Sequence, residues 1–148
     1  MSPTDGVYLA HVNLEVTNLA RARTFYDRVL PLLGFRRLPL SDAAWLGYRK
    51  RRMTLWITVS RPARTSRHAP HAPTNGATDP ISDHLGFRVP SSKRVKEIEA
   101  TLRGRGLTPV YGLDKVATTG KSWYVSCAFR DPDNNVVEIY TVASRRGH

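Results

Sequence analysis

The chain has 148 residues, 41% of them hydrophobic, which is enough for one ordinary domain with its own core and argues against disorder. Its one cysteine, Cys127, excludes an internal disulfide, and no apolar run approaches the ~20 residues of a membrane helix. The net charge of +11 comes from 23 basic against 12 acidic residues, scattered along the chain. Only Arg49-Lys50-Arg51-Arg52 is dense, and it precedes a strand pattern, so it reads as a turn; no nucleic-acid recognition motif accompanies the charge. The opening MSPTDGVYLAHV lacks a basic start leading into a long apolar stretch, so a cytoplasmic protein is expected.

Val12, Leu14 and Val16 alternate with His11, Asn13 and Glu15, the period of a half-buried strand. Thr17-Asn18 is a helix N-cap signal. Leu19, Ala22, Phe25, Tyr26, Val29, Leu30 and Leu33 follow at helical spacing, and Gly34 ends that helix. Residues 35–40, 43–48 and 53–60 read as three short strands. Residues 61–80, with four prolines, read as a linker.

The pattern then returns. Residues 81–89 form a strand with Leu85, Phe87 and Val89 on one face and His84, Gly86 and Arg88 on the other. Pro90-Ser91-Ser92 caps a helix carrying Val95, Ile98 and Leu102, stopped by Gly104 and Gly106. Strands are expected at 107–113, 122–130 and 135–142, with a loop at 114–121. The distance from histidine to helix-ending glycine is 23 residues from His11 to Gly34 and 22 from His84 to Gly106. Such self-similarity means one supersecondary unit used twice. The expected fold is α+β: two tandem βαβββ modules, at 7–60 and 81–142, forming a cupped mixed sheet with the helices on its outer face, all within one domain.

Strand parity selects what lines the cup. If the apolar residues of each strand face the helices, His11, His84 and Glu138 face the opposite way. Two imidazoles and a carboxylate suit one divalent ion such as Fe, Mn, Zn or Ni. Each residue alone has a plainer role as a surface or structural group; repeat equivalence of the histidines is what favours the metal. Asn13, Arg88, Tyr124, Ser126 and Tyr140 share the cup face, and Arg88 suits a substrate carboxylate or phosphate. Glu15 is a weaker candidate base, and His68 and His71 are a weaker metal pair in the linker. Cys127 faces the helix side and packs as a small hydrophobe.

HVNLEVTNLARARTFYDRVLPLLGF at 11–35, HLGFRV at 84–89 and FRDPDNNVVEIY at 129–140 resemble the vicinal-oxygen-chelate superfamily. Its members include glyoxalase I, extradiol dioxygenases, methylmalonyl-CoA epimerase, fosfomycin-resistance thiol transferases and bleomycin-resistance proteins. The resemblance implies that His11, His84 and Glu138 are metal ligands. In the turn after Arg130, Asn134 stands where glycine is usual, and asparagine tolerates a left-handed backbone. Aligning WITVS at 56–60 with EIYTV at 138–142 puts Trp56 at the family's fourth-ligand position, where it cannot coordinate and instead forms an aromatic wall or packs in the core.

The resemblance therefore implies a three-ligand enzyme of dioxygenase, lyase, isomerase or thiol-transferase type acting on vicinal oxygens. Two features depart from the three-ligand enzymes. Extradiol enzymes carry a tyrosine about ten residues before the glutamate, where this chain has Ala128, with Tyr124 further off on the same face. The stretch DKVATTGK at 114–121 only loosely echoes a potassium-binding loop. Tyr124 and Glu138 are the candidate catalytic groups. The competing reading is a metal-free small-molecule binding or resistance protein of the same fold. A homodimer is expected, with the cup formed within one chain or across two; a membrane is not expected as a partner.

Overall fold

The computed structural model describes residues 8–39, 44–59, 84–117 and 122–144. The chain divides into two compact units, Met1–Thr65 and Ser66–His148. The expected linker, with His68 and His71, lies outside the described residues.

In the first unit β1 spans His11–Val16, α1 Leu19–Val29, β2 Arg36–Arg37, β3 Trp45–Lys50 and β4 Met53–Val59. The sheet order is β1-β4-β3-β2, with β1 parallel to β4 and the other pairs antiparallel. Asn18 caps α1 by accepting from the Arg21 amide at 3.0 Å. The α-helix stops at Val29, and Leu30–Leu33 tightens into a 3-10 turn because Pro31 has no amide to continue the ladder. Gly34, at φ 84°, then reverses the chain.

α1 buries Ala22, Phe25, Tyr26 and Val29, and the Tyr26 ring lies 6.4 Å from that of Tyr48 on β3. Tyr48 pairs with Leu55 and Leu55 with Val12, so this row faces the helix. His11, Asn13 and Glu15 therefore face away from it, as parity predicts. The basic run is a hairpin turn: Arg51 adopts φ 53°, and the Lys50 ammonium donates to the Leu33 carbonyl at 2.6 Å, capping the 3-10 turn.

The second unit repeats the plan. β5 spans His84–Arg88, α2 Ser92–Gly104, β6 Pro109–Ala117, β7 Ser122–Arg130 and β8 Val136–Ser144, in sheet order β5-β8-β7-β6. β5 is parallel to β8, and the other pairs are antiparallel. Ser91 caps α2. Val95, Ile98 and Leu102 are buried on α2, while Val137, Ile139, Cys127 and Phe129 are buried on the sheet. The two βαβββ modules are thus present, each a four-stranded mixed sheet with one helix.

Several boundaries differ from expectation. The strand foreseen at 35–40 shrinks to the two residues of β2. The strand foreseen at 43–48 begins at Trp45 and runs to Lys50. Residues 114–117, foreseen as loop, are the end of β6, and 118–121 lie outside the described residues. The polar, small composition of DKVATTGK signals a turn, but pairing with the long apolar β7 extends the strand through its first half.

The β7–β8 turn is built on Asp131. Its Oδ1 accepts from the Asp133 and Asn135 amides, each at 2.8 Å, and its Oδ2 accepts from the Asn135 side chain at 2.9 Å. Asn134 adopts φ 67°, the left-handed conformation that its sequence position calls for. This turn sets the β8 register and so the position of Glu138.

Candidate functional site

Register makes the two modules comparable residue by residue. His11 opens β1 opposite Thr54, and His84 opens β5 opposite Val136. Two residues on, Asn13 pairs with Trp56, and Gly86 pairs with Glu138. The alignment of Trp56 with Glu138 therefore holds in three dimensions.

On the second module's face away from α2, Glu138 is the centre. It is only 7% exposed, yet both carboxylate oxygens are satisfied. Oε2 accepts from the Tyr124 hydroxyl at 2.8 Å and lies 3.2 Å from His84 Nε2. Oε1 accepts from the Tyr111 hydroxyl at 3.1 Å. The Tyr111 hydroxyl is also 3.4 Å from Oγ of buried Ser126. Tyr140 stacks on Tyr124, with centroids 5.0 Å apart and an 18° interplanar angle. Arg88 closes β5, exposed and paired in register with Tyr140.

Tyr111 has no assigned role in the sequence analysis. Two register shifts in β6, between Pro109 and Tyr111 and between Tyr111 and Asp114, break the simple alternation that parity relies on. The signal that was available is Ala128. It lies between Tyr111 and Glu138 in the register, and its methyl group leaves room for a long side chain from β6 to reach across β7.

Burial pushes the Tyr111 phenol up from 10.0 to about 12, with the Ser126 hydroxyl working against the rise and the Glu138 carboxylate adding to it. Burial first, and then the hydrogen bond to Glu138, hold the Tyr124 phenol still higher. Both phenols therefore keep their protons at any ordinary pH and act as donors to the carboxylate. Cys127 points the other way: it is fully buried, and burial raises its thiol from 9.0 to about 12. Its place is in the core.

The first module's equivalent face is different in kind. Trp56 is half-buried, and its ring covers Gly47, where a Cβ would meet Cζ3 at 2.6 Å. Trp45, 43% exposed, meets Trp56 edge to face at 6.1 Å. Thr58 donates to Asn13 Oδ1 at 3.4 Å, and His11 is exposed at the start of β1. Glu15 lies on the same face, opposite Thr58.

Among the described residues, no group of three or more His, Cys, Asp or Glu side chains is gathered as a metal-binding cluster. The His84–Glu138 pair does fit the demands of an ion. Two ligands each about 2.1 Å from one metal at tetrahedral or right angles sit roughly 3.0–3.4 Å apart. The 3.2 Å between Nε2 and Oε2 falls in that span. Imidazole nitrogen and carboxylate oxygen are also the donor types that Fe, Mn, Zn and Ni share.

Residues 8–139 match the profile of the Glyoxalase/Bleomycin resistance protein/Dioxygenase superfamily, and the chain belongs to that superfamily. Similar solved structures include a candidate glyoxalase from Bacillus halodurans, 24% identical, with a TM-score of 0.65 over 93% of this chain and 97% of that one. A glyoxalase/bleomycin resistance protein from Albidiferax ferrireducens is 23% identical, with a TM-score of 0.60 over 90% and 97%. A lactoylglutathione lyase from Agrobacterium tumefaciens is 18% identical, with a TM-score of 0.61 over 92% and 93%. At these identities the likeness is one of fold. No curated protein matches the sequence. Among the described residues no helix is long and apolar enough to cross a membrane.

Proposed function

We propose that this chain is a divalent-metal-dependent enzyme that chelates vicinal oxygens of a small anionic substrate, with His84, Glu138 and the repeat-equivalent His11 as the ligands. His11 comes from a first module, either of the same chain or of the second copy in a homodimer. The observation that carries the reading is the 3.2 Å approach of His84 Nε2 to a buried, doubly hydrogen-bonded Glu138. A bound ion of this kind supplies Lewis acidity to substrate oxygens.

The chain's own groups supply the rest. Tyr124 and Tyr111 keep the carboxylate aimed. The Tyr124–Tyr140 stack forms a flat apolar wall beside it. Arg88, exposed at the end of β5, offers two parallel donors to a carboxylate or phosphate of the substrate. Ser126 gives a buried hydroxyl near Tyr111. In the first module Asn13 and Trp56 are the counterparts that contact substrate.

The test is calorimetric titration of chelator-treated protein with Mn(II) and Zn(II). The proposal expects one site per chain, with His84→Ala and Glu138→Ala each abolishing it. Equal binding by wild type and both variants contradicts it.

A second reading, a metal-free small-molecule binding protein, is favoured by one observation. Trp45, exposed, and Trp56, half-buried, give the first module an edge-to-face aromatic platform. Tryptophan quenching by an aromatic ligand, with the ligand recovered unchanged and no metal required, supports this second reading over the first.

A further inference from the structure

A glutamate on a strand face ordinarily reaches for water, because burying a carboxylate is costly without donors to hold it. Glu138 is buried instead, and the donors are two tyrosines from two different strands. Each oxygen takes one phenol: Oε1 from Tyr111 on β6, Oε2 from Tyr124 on β7. A carboxylate oxygen has two lone pairs. On Oε2 one is used by Tyr124, while His84 Nε2 lies 3.2 Å away. The carboxylate plane is therefore set from both sides, and Oε2 is the oxygen beside the imidazole.

We propose that Tyr111 and Tyr124 are positioning residues that clamp Glu138 as a one-oxygen metal ligand through Oε2. This rests on the metal-binding reading of His84 and Glu138. With Oε1 drawn toward Tyr111 on β6 and Oε2 alone beside the imidazole, the two phenols hold the carboxylate turned so that Oε2 is the oxygen offered to an ion. The arrangement depends on Ala128, across whose small side chain Tyr111 reaches, and on the two register shifts that place Tyr111 on this face. Tyr140, stacked on Tyr124, limits the motion of that ring. Outer partners of this sort orient a ligand and tune its donor strength, and losing one typically costs about 10–100-fold in metal affinity.

Tyr111→Phe and Tyr124→Phe remove only the hydroxyls and keep both rings. The readouts are the Co(II) dissociation constant of chelator-treated protein and the visible absorption bands of the Co(II) form. Tyr124→Phe is expected to weaken Co(II) by about 10–100-fold and Tyr111→Phe by about 10-fold. Both should shift the Co(II) bands, because the freed carboxylate changes the coordination. Tyr48→Phe is the control: that buried phenol also donates to a carboxylate, Asp27 at 2.8 Å, but in the first module. It should lower the melting temperature while leaving Co(II) affinity and spectrum as in wild type. If Tyr111→Phe and Tyr124→Phe bind Co(II) with wild-type affinity and bands, the clamp is wrong and the metal reading stands. If wild type itself takes up no Co(II), both fall.

Discussion

The two modules share one backbone plan and differ at one decisive register position. Where the second carries Glu138 beside Ala128 with Tyr111 beyond, the first carries Trp56 beside Gly47. The Trp56 ring fills the space over Gly47 and makes that face aromatic. The second face is a hydrogen-bonded cluster around an anion. The edge strands follow suit. β2 is two residues long, while β6 runs for nine with two register shifts, and only the long edge brings a third strand's side chain to the carboxylate. A duplicated fold thus supplies equivalent places, and single residues decide what each place can hold.

The largest expected contrast is in metal affinity. Glu138→Ala should weaken Mn(II) by more than about 100-fold, beyond what loss of an outer partner costs. Trp56→Ala should leave Mn(II) affinity within about threefold and instead cost roughly 2 kcal/mol of stability in urea denaturation, below the range for a fully buried aromatic. Equal effects on Mn(II) would erase the distinction between the modules.

The next contrast is steric. Gly47→Ala puts a methyl group against a rigid indole ring and should destabilise by about 1–3 kcal/mol. Its counterpart, Ala128→Gly, should cost about 1 kcal/mol, mainly through backbone entropy. Melting curves of the two variants check the ordering.

Alkaline pH should act chiefly through the second module. The Cys127 thiol rises from 9.0 to about 12, and the Tyr111 phenol from 10.0 to about 12. A group whose folded pKa is raised keeps its full stabilising contribution below the unfolded value and loses it as pH climbs to the folded one. Stability should therefore be flat with respect to these groups below pH 9 and fall between about 9 and 12. Cys127→Ala should flatten the first part of that fall, as measured by urea midpoints against pH. The smallest effect is expected at the β7–β8 turn. Asn134→Gly should change stability by less than about 0.5 kcal/mol, since asparagine already tolerates the left-handed backbone there.

Much of this organisation is legible in the sequence because strand parity and helix caps are local. The alternation in β1 places His11, Asn13 and Glu15 on one face, and Asn18 and Ser91 are the caps their positions announce. The equivalence of His11 with His84 and of Trp56 with Glu138 follows from counting. Tyr124 is correctly put on the face of Glu138 by parity alone. Tyr111 is not legible, because register shifts cancel parity within β6, and the end of β6 is not, because strand pairing overrides the turn-like composition of residues 114–117. The length of β2 likewise depends on its neighbour rather than on its own residues.

The most direct test of the central claim, that the second module's Glu138 anchors a divalent ion, is the metal content of chain purified without chelator. Elemental analysis should find about one equivalent of divalent metal per chain in wild type, with Trp56→Ala unchanged and Glu138→Ala emptied. A metal-free wild type, or a Glu138→Ala variant as full as wild type, would contradict the account.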